Sequence, residues 1–300
     1  MRPILIVGSI AFDTLHLGGK CHPKVLGGSA TYASIAAAHF SPVQLVGVVG
    51  HDFPDAATKL LRDRNVDLAG LEIAHGETFH WEGRYSEDLS SRETLRTDLN
   101  VFADFKPKIP KAFRAAPFVM LGNIDPVLQM EVLDQIEKPA FVLADTMNLW
   151  IDIRHAELKK LCARIDMLVL NDEEARQLTD EQNLVVAAKA LRALGPKQVC
   201  IKKGEHGALL FQGEEVFALP ALPLSKVVDP TGAGDTFAGG LIGFLARSND
   251  LSSSNLRRAL VHGSALASLC VEGVGTERLI SASTGDVHAR LETFRQLTSF

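Results

Sequence analysis

Short apolar runs rich in β-branched residues recur along the chain at Ile4 to Val7, Leu45 to Val49, Phe118 to Leu121, Phe141 to Ala144, Met167 to Leu170 and Val199 to Ile201. Runs of this length with no polar face predict strands buried on both sides. Between them, Ala56 to Arg64, Pro126 to Ile136, Ile153 to Ala163 and Val185 to Leu194 carry apolar residues three and four apart, the spacing of a helix with one buried stripe. The alternation predicts an α/β fold, a mostly parallel sheet with crossover helices on its faces. Val25 to His51 holds no Asp, Glu, Lys or Arg and is long enough to cross a bilayer, but His39, Ser41, Pro42 and Gln44 at its middle divide it into a helix, a turn and a strand.

One segment breaks the rhythm. From Gly76 to Phe102 polar and apolar residues alternate, with Phe79, Trp81 and Gly83 on one side and His80, Glu82 and Arg84 on the other. A small projecting sheet or lid inserted in the main domain is predicted there, with residues 14–24 as a further contributor. Phe79, Trp81 and Tyr85 offer a stacking surface for a base or ring, or they are the packed side of the lid or of a lid-to-lid contact. No repeat and no linker rich in Pro, Gly or Ser divides the 300 residues, so one domain carrying its lid is expected.

Composition narrows the class. With 46% hydrophobic and 22% charged residues, the chain can build a sizeable core. A net charge of −5 and the lack of a Lys/Arg run argue against nucleic acid as a partner. Cys21, Cys162, Cys200 and Cys270 are far apart, without CxxC pairs, so reduced thiols in a cytoplasm are expected. The apolar start, Pro3 to Phe12, has only Arg2 before its first proline and ends at Asp13 without a small-residue cleavage pattern, which reads as a buried strand and not a signal segment. No membrane partner is expected.

The chemistry concentrates in Val227 to Gly240, VVDPTGAGDTFAGG. Asp229-Pro230 ends a strand at Val227 and Val228. Phe237, Leu241, Phe244 and Leu245 then recur at helical spacing, which places Gly232, Ala233, Gly234 and Asp235 at a helix N-terminus. Unpaired N–H groups and the positive dipole end meet there, and glycines let an anion approach the backbone. A carboxylate among such donors repels the anion they attract, so Asp235 makes sense as the group that takes a proton from a hydroxyl attacking a phosphate. The other reading is a turn shaped by its glycines and capped by Asp235. The P-loop pattern GxxxxGK[ST] is absent, and the dinucleotide pattern GxGxxG fails at Phe237.

Asp229 to Phe237, DPTGAGDTF, resembles the C-terminal signature of the ribokinase (PfkB) carbohydrate kinases, and further stretches resemble the same family in order from about Ile4 to Gly275. Gly8 to Asp13 (GSIAFD) is similar to its first strand with a substrate-binding aspartate, Leu26 to Ala33 (LGGSATYA) to its di-glycine motif, and Asn171 to Glu174 (NDEE) to its NxxE element. Ile201 to Ala208 (IKKGEHGA) resembles the nucleotide-side strand and turn, and Val261 to Ala265 (VHGSA) the helix beside the adenine. The resemblance implies a ribokinase-like three-layer α/β/α sandwich with a β-sheet lid. It implies an ATP-dependent, Mg²⁺-requiring phosphotransferase that moves the γ-phosphoryl to an alcohol group of a small polyhydroxy substrate, a sugar or cyclic polyol. A nucleoside kinase and a catalytically silent metabolite-binding relative are the alternatives.

The resemblance also distributes roles. Asp235 matches the catalytic base, the amides of Gly232, Ala233 and Gly234 the anion hole, and Asp13, Gly27 and Gly28 the acceptor contacts. Asn171 and Glu174 match the element that organises Mg²⁺ through water; alone they read as a helix cap with first-turn acids. Asp145, Lys202, Gly204, Gly207 and His262 match positions bordering the nucleotide, although a lone helical His is more often packed or solvated. Asp229 and Thr231, with backbone near Gly273 and Gly275, resemble a monovalent-cation site, often for K⁺. Tyr32 stands where ribokinases have a sugar-bonding Asn, and Asn123 near an acidic contact, with Asp125 the alternative in a shifted register. Both departures point away from ribose. Arg84, Arg92 and Arg96 are candidates for a phosphate already on the substrate, or solvated surface among Glu82, Glu87, Asp88 and Glu93. A homodimer through the lid is compatible with the resemblance.

Overall fold

The computed structural model of the chain describes residues 1–299. Ile4–Val7 forms β1, and the chain continues through β2 (Ala11–Leu17), β3 (Lys20–Gly27), α1 (Ser29–Ala38), β4 (Val43–Val49), α2 (Asp55–Arg62) and β5 (Val66–Ile73). Next come β6 (Phe79–Tyr85), β7 (Arg92–Asp98), β8 (Phe118–Leu121), α3 (Pro126–Leu133), β9 (Phe141–Asp145), α4 (Asn148–Ile153) and α5 (His155–Cys162). They are followed by β10 (Met167–Asn171), α6 (Asp172–Thr179), α7 (Leu184–Ala193), β11 (Gln198–Lys202) and a hairpin of β12 (Ala208–Gln212) and β13 (Glu215–Leu219). Four helices end the described chain: α8 (Ala233–Ser248), α9 (Ser253–Cys270), α10 (Glu277–Ser281) and α11 (Thr284–Thr298).

Nine strands form one sheet in the order β13-β12-β11-β10-β9-β8-β1-β4-β5. The seven from β11 to β5 run parallel, and the β12–β13 hairpin adds antiparallel strands at one side. A strand sends alternate side chains to opposite faces, and β1 shows the result. Ile4 and Ile6 join the core that contains residues of α1, α8 and α9, while Leu5 and Val7 join the core that contains residues of α5, α6 and α7. Both faces are covered, and the chain is a three-layer α/β/α sandwich.

Glycines set the helix packing that matters for the site. A Cβ on Gly239 would lie 2.3 Å from Ala33 O, and one on Gly243 would lie 2.9 Å from the backbone of Ala37. Without those side chains α8 and α1 touch along their backbones and run in the same direction, residues 33 to 37 beside 239 to 243. Their N-termini therefore open at the same end of the molecule.

A second sheet has the order β3-β2-β6-β7. β2 pairs antiparallel with β3 and parallel with β6, and β6 pairs antiparallel with β7. Half of it thus comes from Ala11–Gly27, a longer contribution than residues 14–24.

Three element readings change. Val227 and Val228 lie in no strand; the Val228 N–H donates to Val271 O (2.7 Å), so a single loop, not a sheet, holds this pair. The pattern from Ile153 to Ala163 belongs to two helices, α4 and α5, because Arg154 has φ −134°, outside the helical range. Helix α3 ends at Leu133, short of Ile136. No helix among the described residues is long and apolar enough to cross a membrane.

Candidate active site

The strand order reverses at β1, which has β4 on one side and β8 on the other. In parallel sheets such a reversal opens a crevice at the carboxyl ends of the strands. Gly8 and Asn123 follow β1 and β8 closely, and Asp145, Asn171 and Lys202 are the last residues of β9, β10 and β11. All five line that edge.

On one side of the crevice, Ser9 and Ser29 fasten α1 to the end of β1. Ser9 N–H donates to Ser29 Oγ (3.1 Å), Ser29 N–H to Ser9 Oγ (3.0 Å) and Ala30 N–H to Ser9 O (2.9 Å). Gly28 turns the chain there at φ 93°, and a Cβ on it would lie 2.5 Å from Ser9 O. Gly27 makes room for Asp13, whose Oδ2 would lie 2.0 Å from a Cβ at that position. Burial, and then the charges of Asp229 and Asp235, push Asp13 up to about 8, with Arg92 pulling the other way. The quoted motifs contained the Ser9–Ser29 clamp, but nothing in their spacing announced a hydrogen-bonded pair.

Across from it, Gly232 is the N-cap of α8 at φ 72°, and no side chain caps the helix. Asp235 therefore sits in the first turn and is not the cap. Ala233 N–H, expected among the anion-binding amides, closes the turn on Pro230 O instead (3.2 Å). The N–H groups of Gly232 and Gly234 meet no acceptor among the described residues and stay open. Burial and the charge of Asp145 raise Asp235 to about 7, with Lys202 opposing.

Lys202 Nζ lies 3.2 Å and 3.3 Å from the two carboxyl oxygens of Asp145, and a Cβ on Gly234 would lie 2.9 Å from it. Burial works against the ammonium charge, but Asp145, Glu174 and Asp235 more than offset it and push Lys202 up to about 12. Asn171 and Glu174 form a capping box at α6: Glu174 N–H donates to Asn171 Oδ1 and Asn171 N–H to Glu174 Oε2, both at 2.7 Å. Burial, against the pull of Lys202, raises Glu174 to about 7. Gly204 and Gly207 shape the turn between β11 and β12 at φ 53° and 86°. Among the described residues no group of three or more His, Cys, Asp or Glu could hold a metal by itself. Three carboxyls, Asp145, Glu174 and Asp235, nevertheless share one ammonium beside open amides, a setting that suits a cation brought in with phosphate and held through water.

Asp229 works as a brace. Its Oδ1 accepts from Thr231 N–H (2.9 Å) and its Oδ2 from Gly275 N–H (2.7 Å), joining the glycine turn to the loop after α9. Thr231 Oγ1 meets the Tyr85 hydroxyl at 2.9 Å, so the second sheet touches this turn. Phe79 does not share that role; it stacks on Phe102 at 5.3 Å.

Three residues assigned from the resemblance are placed differently. His262 stacks on Phe244 (3.8 Å) and meets Phe40 edge-on (5.4 Å), and its Nδ1 lies 2.8 Å from Arg258 O. Phe244 and Phe40 lie toward the C-terminal ends of α8 and α1, so the ring is packed away from the glycine turn. Tyr32 is 1% exposed. Its ring lies 2.4 Å from where a Gly232 Cβ would be, so it supports the turn from beneath and does not face an acceptor. Asn123 Oδ1 accepts from Trp150 Nε1 (2.8 Å), and Asp125 caps α3 and pairs with Arg154 (3.0 Å), which removes it as the alternative.

Residues 1–282 match the family described as pfkB family carbohydrate kinase. The chain belongs to that family. The kinase is 30% identical over 257 residues to the cytidine kinase of Thermococcus kodakarensis, covering 84% of this chain and 91% of that one. A putative ribokinase II from E. coli has a TM-score of 0.82 at 19% identity, over 99% of this chain and all of that one (100%). The nucleoside kinase of Methanocaldococcus jannaschii has a TM-score of 0.79 at 18% identity, over 97% and 98%. These two likenesses establish the ribokinase-like fold.

The raised carboxyls of this kinase carry a stability consequence. Asp13, Glu174 and Asp235 keep protons in the fold that the unfolded chain has already released, so their contribution is full below about pH 4 and is lost as pH rises through about 7 to 8. Asp13→Asn removes one such group. Thermal melts are expected to show the variant level with wild type at pH 4 and more stable at pH 9, each kcal/mol moving the midpoint by about 2 °C. Equal midpoints at both pH values would contradict the assignment of Asp13 as a buried, uncompensated carboxyl.

Proposed function

We propose that this kinase moves the γ-phosphoryl of ATP to a hydroxyl of a small polyhydroxy acceptor, with Asp235 as base. The observation that carries the reading is Asp235 itself: a carboxyl raised to about 7 in the first turn of a helix whose neighbouring amides are open. An anion site needs no such group; a hydroxyl nucleophile does.

Asp13 accepts a hydrogen bond from one acceptor hydroxyl while Asp235 takes the proton of the attacking one. The new bond joins that oxygen to the γ-phosphorus, the bond from phosphorus to the β–γ bridging oxygen breaks, and ADP leaves with the electron pair. The Gly232 and Gly234 amides and Lys202 face the charge that develops on the phosphoryl oxygens. Mg²⁺ entering with ATP, steadied through water by Asp145 and Glu174, would neutralise part of the triphosphate charge. Asn171, through its capping box, fixes Glu174 for that task. The turn at Gly204 to Gly207 lies beside Lys202 on the nucleotide side, and Asp229, Thr231 and the Gly273 to Gly275 loop are the place for a monovalent cation such as K⁺. The second sheet serves as the lid that excludes water.

A sugar or cyclic polyol satisfies the Asp13 contact. A nucleoside is the second reading, favoured by the Trp81 ring on the face of the lid that carries Tyr85 and by the likeness to a cytidine kinase. ADP release is measured from Mg·ATP with ribose, fructose, myo-inositol, cytidine and adenosine, with and without K⁺. Turnover at least about tenfold above the rate without acceptor is expected for one of the two classes; no stimulation by any of them would overturn the reading. With that acceptor, kcat should fall as pH drops below about 7, where Asp235 gains its proton. Lys202→Met should move the midpoint upward, because the opposing positive charge is gone; a flat profile, or a midpoint that moves downward, would contradict Asp235 as base.

A further inference from the structure

Three arginines sit on the lid, and they are not equivalent. Arg84 pairs with Glu93 (3.5 Å) and Arg96 with Asp98 (2.7 Å). Arg92 has no carboxylate within ion-pair distance among the described residues. Its guanidinium lies over the Trp81 ring, 5.2 Å from the centroid, a contact that positions a cation without neutralising it.

The register of the sheet says which way it faces. Arg92 is directly opposite Tyr85, and Asp13 directly opposite Trp81. Opposed residues share a face, as do residues two apart in one strand, so Asp13, Trp81, Tyr85 and Arg92 lie on one side. The bond from Tyr85 to Thr231 turns that side toward the glycine turn. His16 with Glu82 (2.7 Å) and Thr14 with His80 (2.9 Å) occupy the other side, as Arg84 does.

The site has a use for such a charge. Asp13, Asp145, Glu174 and Asp229 are each 8% exposed or less; Lys202 answers the charges of Asp145, Glu174 and Asp235 and is not among the charges acting on Asp13. A phosphoryl group in transit adds further negative charge. Arg92 already acts on both walls of the crevice, pulling Asp13, Glu174 and Asp235 downward.

We propose that Arg92 is a catalytic residue supplied by the lid: its planar fork contacts the phosphoryl oxygens during transfer, and Tyr85, through Thr231, is the positioning residue that sets the lid where this contact forms. The proposal rests on the phosphoryl-transfer reading above.

Wild type, Arg92→Ala, Arg92→Lys, Tyr85→Phe and Arg84→Ala are compared in two measurements. Calorimetry follows binding of Mg·ADP with and without aluminium fluoride, which stands in for the phosphoryl in flight. Kinetics follow transfer to the five acceptors named above. Arg92→Ala should keep ADP affinity within about twofold, lose about tenfold or more of the tightening by aluminium fluoride, and lower kcat by about 10²-fold with little change in the acceptor KM. Arg92→Lys should recover part of both effects, Tyr85→Phe should lose part of both, and Arg84→Ala should behave as wild type. Arg92 is exposed, and matching melting temperatures establish that its variants fold. Unchanged kcat and unchanged tightening in Arg92→Ala would overturn the proposal while leaving phosphoryl transfer standing. A rise in acceptor KM alone would overturn it too, making Arg92 an acceptor contact. A wild type that binds no ADP would bring down the reading beneath it and the proposal together.

Discussion

Negative charge brought together out of water is the constraint on which this structure turns. Asp13 and Asp229 are almost fully buried, and the charges of Asp229 and Asp235 act on Asp13. Burial and like neighbours raise Asp13 and Asp235 above the usual carboxylate range. The surrounding fold is what keeps them there. Gly27 leaves the space that Asp13 fills, Gly28 and the Ser9–Ser29 clamp fix the start of α1, and the backbone contact of α1 with α8 brings the two N-termini side by side. Asp229 differs from the other two because both its oxygens accept backbone N–H groups, so it braces the turn. Groups whose proton affinity is displaced by burial and by a named neighbour cluster where proteins do chemistry.

The parallel sheet was readable in the sequence because strands covered on both faces have no polar side, and short β-branched runs such as Ile4 to Val7 alternate with helical patterns. The glycine turn was readable for a similar reason: side-chain-free residues before a helical pattern, followed by an acid, leave few alternatives. Other features were set by contacts remote in sequence. The loop partner of Val228, Val271, is not visible in a pair of valines. Tyr32 could be placed beneath Gly232 only once α1 and α8 were known to run side by side, and His262 could be placed between Phe244 and Phe40 only once α8 and α9 were known to pack together. Arg92 looked like Arg84 and Arg96 among interleaved acids; strand register, which decides the face of each side chain, separates them.

The two sheets divide the labour. The large sheet and its helices hold the carboxyls, Lys202 and the open amides in fixed positions, since core packing at close density allows little drift. The small sheet is tied to that frame through β2, which carries Asp13, and through the hydroxyl contact between Tyr85 and Thr231. One face of the small sheet, carrying Asp13 and Tyr85, is thereby fixed relative to the glycine turn.

The central claim, that Asp235 is the base in phosphoryl transfer, is tested most directly by Asp235→Asn, with kcat and the dissociation constant of Mg·ADP measured on the same preparation. The asparagine keeps size and polarity but cannot take the proton, and the open amides remain. The account predicts unchanged ADP affinity and a kcat lower by about 10²–10⁴-fold. A kcat within a few-fold of wild type would contradict it.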